Sequence, residues 1–287
     1  MSRSTRREFR AMLTPGAALI LPGVANALAA RVVADQGFGA AYVTGAGIAN
    51  TFLGIPDNGL VTLTELTDHV TAIRAVFPGP LMVDADTGFG NALNMRRTIQ
   101  ILERAGADAI QIEDQVFPKR CGHFEGKEVI PSAEMVAKIK AAIDARIDPD
   151  LMIVARTDAI AVEGFNAAMD RAAAFREAGA DVGFVEAPTN PEQIAKIAAM
   201  DWPQLINVVI GGKTPELPNA ELRKLGFAGV IYANTALQAA VLGMQKALAH
   251  LKADGRIGDG VDLLATFAER QRLVDIAAFQ AMEQKYK

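Results

Sequence analysis

A chain of 287 residues with 29 basic and 33 acidic side chains carries a net charge of −4, and no basic tract beyond its first residues offers a nucleic-acid surface. Its one cysteine, Cys121, excludes an internal disulfide and fits a reducing compartment such as the cytoplasm, and with three histidines it leaves too few ligands for a zinc site. No apolar run is long enough to span a bilayer, no linker or change of composition divides the chain, and its length suits a single α/β barrel with a large core.

The opening segment RSTRREFRAMLTPGAALILPGVANALAA imitates a secretory signal, with a basic start, an apolar middle and a small-residue end. Pro15 and Pro22 interrupt the apolar part, which is read instead as a helix from near Thr5 to before Pro15, followed by the first strand. Further short runs rich in Val, Ile and Ala stand at 40–45, 80–86, 109–115, 151–158, 181–188, 205–211 and 229–234, and the first is placed at 18–24. They are apolar without alternation, as parallel strands covered on both sides are. Helical windows lie between them, with core-facing stripes such as Met95, Ile99 and Leu102. Gly37, Gly106, Gly179 and Gly226 stand where those helices should end and the next strand begin.

This alternation predicts a (β/α)8 TIM barrel spanning 1–287 as one α/β domain. A doubly wound open sheet is the alternative, but LPGVANALAA stands where its glycine-rich phosphate turn would be. Beyond the eighth strand, residues 236–287 form a helical extension with two stretches, 236–252 and 261–287. The second carries Leu263, Leu264, Phe267, Leu273, Ile276, Phe279 and Met282, more apolar surface than a solvated tail needs, so it is expected on the barrel or on another subunit.

In a parallel barrel the chemistry collects at the carboxyl ends of the strands. Those ends supply Thr44-Gly45-Ala46, Asp84 and Asp86, Glu113, Arg156 and Asp158, Glu186, Asn207, and Tyr232 with Asn234, and the loop after the second strand adds Asp57. Acids gathered at one mouth repel one another unless a cation sits between them, and hard oxygen donors suit Mg²⁺ or Mn²⁺. Mg²⁺ keeps several waters, so one or two direct ligands suffice. A bland reading stands beside each: Asp84 or Asp86 as a helix cap, Arg156 as a structural ion pair, Thr44-Gly45-Ala46-Gly47 as a plain turn. His69 and His250 lie in helical windows and are read as structural. The loop FPKRCGHFEGKEVIP sets Cys121 among Lys119, Arg120 and His123, cations that would lower a thiol pKa towards neutrality. Gly122 and Gly126 give that loop the hinges of a lid.

The motifs YVTGAG, GIPDNG, VDADTGFGN, IEDQVFPKRCGH, VARTDA, VEAP and GGKTP resemble the isocitrate lyase/phosphoenolpyruvate mutase superfamily, in its 2-methylisocitrate lyase-like branch with the 2,3-dimethylmalate lyases and oxaloacetate hydrolases. The resemblance implies a Mg²⁺-dependent lyase that cleaves a carbon–carbon bond in a 2-hydroxy di- or tricarboxylate, giving an α-keto acid and a second acid. It implies Mg²⁺ near Asp84, with Asp57, Asp86 and Glu113 around it through waters. Thr44, Gly45 and Ala46 would bind the keto-acid carboxylate, Arg156 would help hold that half, and Glu186 and Asn207 would line the other side, with Gly122 and Asn234 close by. Cys121 would be the general acid, flanked by Lys119 and His123, and Tyr42 would assist near the hydroxyl. It also implies a homotetramer with C-terminal helices exchanged between subunits.

Three departures bear on substrate. Tyr232-Ala233-Asn234-Thr235 replaces the usual Tyr-Pro-Leu-Ser/Thr, Ile210 stands where an acid is usual, and Phe124-Glu125-Gly126 replaces a more basic continuation. A less cationic pocket favours a substituted malate such as 2,3-dimethylmalate over the tricarboxylate 2-methylisocitrate. Hydrolysis of oxaloacetate and phosphorus–carbon chemistry on phosphonopyruvate are the alternatives on this fold, and Cys121 counts against the latter, which forms no carbanion for a thiol to protonate. A non-catalytic carboxylate-binding barrel is the reading outside enzymology, and an intact acid cluster argues against it.

Overall fold

The computed structural model describes residues 3–120, 122, 126–258 and 262–287. Eight parallel strands close on themselves in sequence order: β1 (Leu19–Val24), β2 (Ala41–Val43), β3 (Leu81–Asp84), β4 (Ala109–Glu113), β5 (Met152–Thr157), β6 (Val182–Val185), β7 (Gln204–Asn207) and β8 (Gly229–Tyr232), with β8 pairing back onto β1. The predicted (β/α)8 barrel is the observed fold. The strands from β2 to β8 stop one to four residues short of their apolar runs, because the last residues turn out of the ladder into the loops of the mouth.

Around the barrel run α1 (Arg3–Met12), α2 (Ala27–Asp35), α3 (Gly45–Ile48), α4 (Leu63–Arg74), α5 (Ala92–Ala105), α6 (Ser132–Ala145), α7 (Ile160–Glu163), α8 (Phe165–Glu177), α9 (Pro191–Ala198) and α10 (Asn219–Leu225). Side chains start several of them as their sequences dictate: Asn26 caps α2, Thr62 with Glu65 forms a capping box on α4, and Asn91 with Asn94 does so on α5. At the other end Gly106 and Gly226 take left-handed conformations that L side chains resist.

Two apolar layers result. The larger lies between strands and helices and includes Val83, Ile110, Ile112, Ile153 and the α5 stripe Met95, Ile99 and Leu102, all fully buried. The smaller fills the barrel: Tyr42, Met82, Ala109, Met152, Val154, Val182, Phe184, Leu205 and Ile231 point inward, and Phe9 and Leu13 from the N-terminal segment plug the bottom. The signal-like opening is therefore a helix and strand of the barrel. Arg6 pairs with Glu103 and Asp148, and Arg10 with Asp181, tying α1 beneath the strands.

After β8, α11 (Thr235–Asp254), α12 (Phe267–Leu273) and α13 (Ile276–Lys285) form the extension. The second predicted stretch is broken at Val274-Asp275, where Asp275 takes a φ of 61°. Arg272 grips Asp35 of α2 through two bonds of 2.7 and 2.8 Å, and Arg31 donates to the Leu273 carbonyl. Among the described residues no helix is long and apolar enough to cross a membrane.

Candidate active site

Side chains alternate along a strand, so the inward positions of each strand climb from apolar packing to the mouth. On β3 they run Met82, Asp84; on β4 Ala109, Gln111, Glu113; on β5 Met152, Val154, Arg156. On β6 and β7 the same parity leads from Phe184 to Glu186 and from Leu205 to Asn207, and on β2 from Tyr42 to Thr44. Asp57, Asp84, Asp86, Glu113, Arg156 and Glu186 are all buried, and Asn207 and Asn234 are partly exposed. Because Asn91 caps α5, Asp84 and Asp86 are not spent as caps.

Thr44, Gly45 and Ala46 do not form the plain turn that the strand pattern allowed. Thr44 caps the short α3 by accepting from the Gly47 amide at 3.1 Å, and Ala49–Leu53 continue as a π-helical turn. The opening amides of such a turn have no intrahelical acceptor. A Cβ on Gly45 would come within 3.3 Å of both Asp84 Oδ2 and Asp86 Oδ1, so a bare backbone here brings α3 against the acids. The Thr44 hydroxyl also reaches Asn234 Oδ1, at 3.5 Å. Asp86 itself takes a φ of 47°, and Ala187, after Glu186, a φ of 56°. Few non-glycine residues hold that conformation.

The acids are held by cations and amides. Lys119 Nζ lies 2.7 Å from Asp57 and 2.9 Å from Asp86. Burial opposes its charge, yet Asp86, Glu113, Asp57 and Asp84 together raise its pKa well above the usual lysine value. Burial pushes the Asp86 carboxyl up to about 6, with Asp84 and Asp57 adding and Lys119 opposing. Burial likewise drives Glu113 well above the ordinary range against the pull of Arg156, whose guanidinium is 3.3 Å away. Tyr42 is raised by burial and then by Asp84, so its hydroxyl stays protonated. Among the described residues no three Asp, Glu, His or Cys side chains stand close enough to hold a metal ion by themselves. The arrangement fits a hard ion with few direct ligands: Asp84 Oδ2 lies towards Gly45 beside the Lys119-paired Asp86 Oδ1, and Glu113 Oε2 is buried with only the Arg156 guanidinium facing it.

Arg156 makes the ion pair that the bland reading allowed. It makes two bonds to Asp158, at 2.9 and 3.0 Å, and still lines the mouth beside Glu113 and Glu186. Burial disfavours a charged Asp158, but Arg156 and Lys127 outweigh it and hold its carboxyl at about 2. The loop after β4 is folded over this mouth. Its base is an antiparallel bridge between Gln115 and Val129, and Gln115 also binds the Arg120 amide and carbonyl. Lys127 Nζ donates to the Gly122 carbonyl and, at 2.8 Å, to Asp158 Oδ1. A Cβ on Gly122 would meet Arg156 Nη2 at 2.5 Å and Glu186 at 2.8 Å. The predicted catalytic residues Cys121 and His123 lie outside the described residues. His69 faces the Ala25 carbonyl and His250 faces Asp254. Ile210 is more than half exposed in the turn after β7.

Sequence reading missed Gln111, Gln115, Lys127 and the role of Asp158. Gln111 shares the inward parity of Glu113 and carries the only polar side chain within its strand before it, which was the available signal. The Lys127–Asp158 pair spans two loops and left none.

The phosphoenolpyruvate phosphomutase family model matches residues 9–252. A 2,3-dimethylmalate lyase of Eubacterium barkeri is 41% identical over 284 residues, covering 99% of this chain and 98% of that protein. A 2-methylisocitrate lyase of Aeropyrum pernix is 44% identical over 257 residues, 89% of this chain and 82% of that one. The solved structure of an oxaloacetate acetylhydrolase in complex with 3,3-difluorooxalacetate superposes with a TM-score of 0.92 at 31% identity, covering 99% and 97% of the two chains.

Proposed function

Because the chain belongs to the phosphoenolpyruvate phosphomutase family, within the superfamily shared with the isocitrate lyases, we propose that it is a Mg²⁺-dependent carbon–carbon lyase acting on a 2-hydroxy dicarboxylate of the substituted-malate type, such as 2,3-dimethylmalate, or on 2-methylisocitrate. The products are an α-keto acid such as pyruvate and a second carboxylic acid. The observation that carries this reading is the ring of buried, inward-facing acids at separate strand ends, roofed by the loop that bears the single cysteine.

Asp84 would hold Mg²⁺ (or Mn²⁺), with Asp57, Asp86 and Glu113 around it through waters. When bound, the ion would make the substrate 2-hydroxyl acidic, and the proton would pass to the Asp86 or Glu113 carboxylate, both raised in pKa by burial. The amides at Thr44, Gly45 and Ala46 take the keto-acid carboxylate, and Arg156 neutralises charge on the same half. Glu186, Asn207 and Asn234 line the other half, and Gly122 lets the roof close against Arg156. Tyr42 is a protonated donor beside the acids rather than a base. As the C2–C3 bond breaks, its electron pair stays on C3, and the Cys121 Sγ proton is delivered there. Lys119, paired with Asp57 and Asp86, seats the loop on the acids and is a proposed neighbour of the thiol. His123 is the remaining neighbour proposed to tune that thiol.

Carbon–carbon hydrolysis of oxaloacetate is the second reading, favoured by the 0.92 TM-score to an oxaloacetate acetylhydrolase. A coupled assay for keto-acid release from a panel of 2-hydroxy dicarboxylates tests the first reading, and an assay for oxalate and acetate release from oxaloacetate tests the second, each with EDTA as the control. EDTA-sensitive keto-acid release from a substituted malate is expected; release of none from any member sinks the lyase reading. A homotetramer with exchanged C-terminal helices is part of the proposal, supported by the exposed Val241, Met244, Leu248 and Leu251 of α11. A cytoplasmic location is proposed from the lone cysteine.

A further inference from the structure

We propose that Gln111 is a positioning residue for the candidate metal site: its buried amide fixes which oxygen of Asp84 is offered to a divalent cation. This rests on the metal-dependent reading above. Gln111 pairs in register with Asp84 across β3 and β4 and is fully buried. Its Nε2 donates to Asp84 Oδ1 at 3.1 Å, and the Asp86 amide approaches the same oxygen at 3.3 Å. With Oδ1 occupied by two donors, Oδ2 is the oxygen turned towards the bare Gly45 backbone and Asp86 Oδ1.

The other end of the amide is fixed as well. Gln111 Oε1 accepts the Tyr42 hydroxyl at 3.1 Å. A flipped amide would set a carbonyl against the Asp84 carboxylate, so the two contacts choose one orientation together. The side-chain type also matters. An acid at 111 would repel Asp84 or require a proton of its own, and a lysine or arginine would cancel the charge that attracts a cation. An amide alone orients the carboxylate without altering the charge of the site. Groups that orient a metal-binding side chain in this way are worth about 10- to 100-fold in metal affinity.

The test is Mn²⁺ titration of the purified full-length chain without substrate, followed by the loss of the free-ion EPR signal, on wild type, Gln111→Met and Gln111→Asn. Met removes both hydrogen bonds at similar volume; Asn keeps an amide that is too short to reach both partners, and it supplies the comparison should Met fail to fold. Circular dichroism and elution volume identify the folded variants. Wild type is expected to bind Mn²⁺, and the folded variants to bind it about 10- to 100-fold more weakly. Affinity within twofold of wild type in a folded variant overturns the role of Gln111 while leaving the metal-dependent reading intact. A wild-type chain that binds no Mn²⁺ overturns that reading, and this inference with it.

Discussion

The site residues that the strands carry are set by parity: Asp84, Glu113, Arg156, Glu186 and Asn207 are polar residues at inward positions at the carboxyl ends of mostly apolar strands. What could not be read was who neutralises whom. Lys119, read from the sequence beside the thiol, pairs with Asp57 and Asp86. On the proposed mechanism, Cys121→Ser should leave substrate affinity nearly unchanged and lower kcat by ~10²-fold or more, the loss typical of a missing general acid; steady-state kinetics that show wild-type turnover would remove Cys121 from that role. Asp84→Ala should abolish the activation of turnover by added Mg²⁺, and a variant that still responds to Mg²⁺ as wild type does would point to a different ligand.

At the scale of elements, the loop after β4 is latched by Lys127 to Asp158 and packed through Gly122 onto Arg156 and Glu186. Gly122→Ala places a methyl group 2.5 Å from Arg156 Nη2, so the roof cannot seat without displacing the guanidinium. The expected result is at least a roughly tenfold fall in kcat/KM with an unchanged melting temperature, since the barrel beneath is untouched; full activity would show that the loop closes another way. Asp158 makes the latch sensitive to acid. Its folded pKa of about 2 lies below the ordinary carboxylate value, so the stability it supplies is complete above pH ~4 and is lost as pH falls through about 2. Asp158→Asn should therefore cost about 3–5 kcal/mol near neutrality, where it leaves two buried cations without their acid, and the gap to wild type should narrow by about 1 kcal/mol by pH 3. Denaturant unfolding at the two pH values measures it, and a gap that does not narrow contradicts the assignment.

For the molecule as a whole, the extension carries the exposed apolar surface on which the proposed assembly depends. Within the chain α12 is held to α2 by Arg272 and Asp35, while Phe267, Phe279 and Met282 remain exposed. Deleting residues 261–287 should dissociate the proposed tetramer into smaller species by light scattering; a tetramer that survives the deletion would place the interface elsewhere. The barrel and the inventory of its mouth were legible in sequence because both follow from local periodicity, helix caps and strand ends, which depend on neighbours a few residues apart. The tertiary structure alone decided the pairings that give those residues their charge and aim: Gln111 with Asp84, Lys119 with Asp57 and Asp86, Lys127 with Asp158. Closure of the barrel brings together side chains tens of residues apart, and burial then makes each missing partner costly, a constraint that no local pattern records.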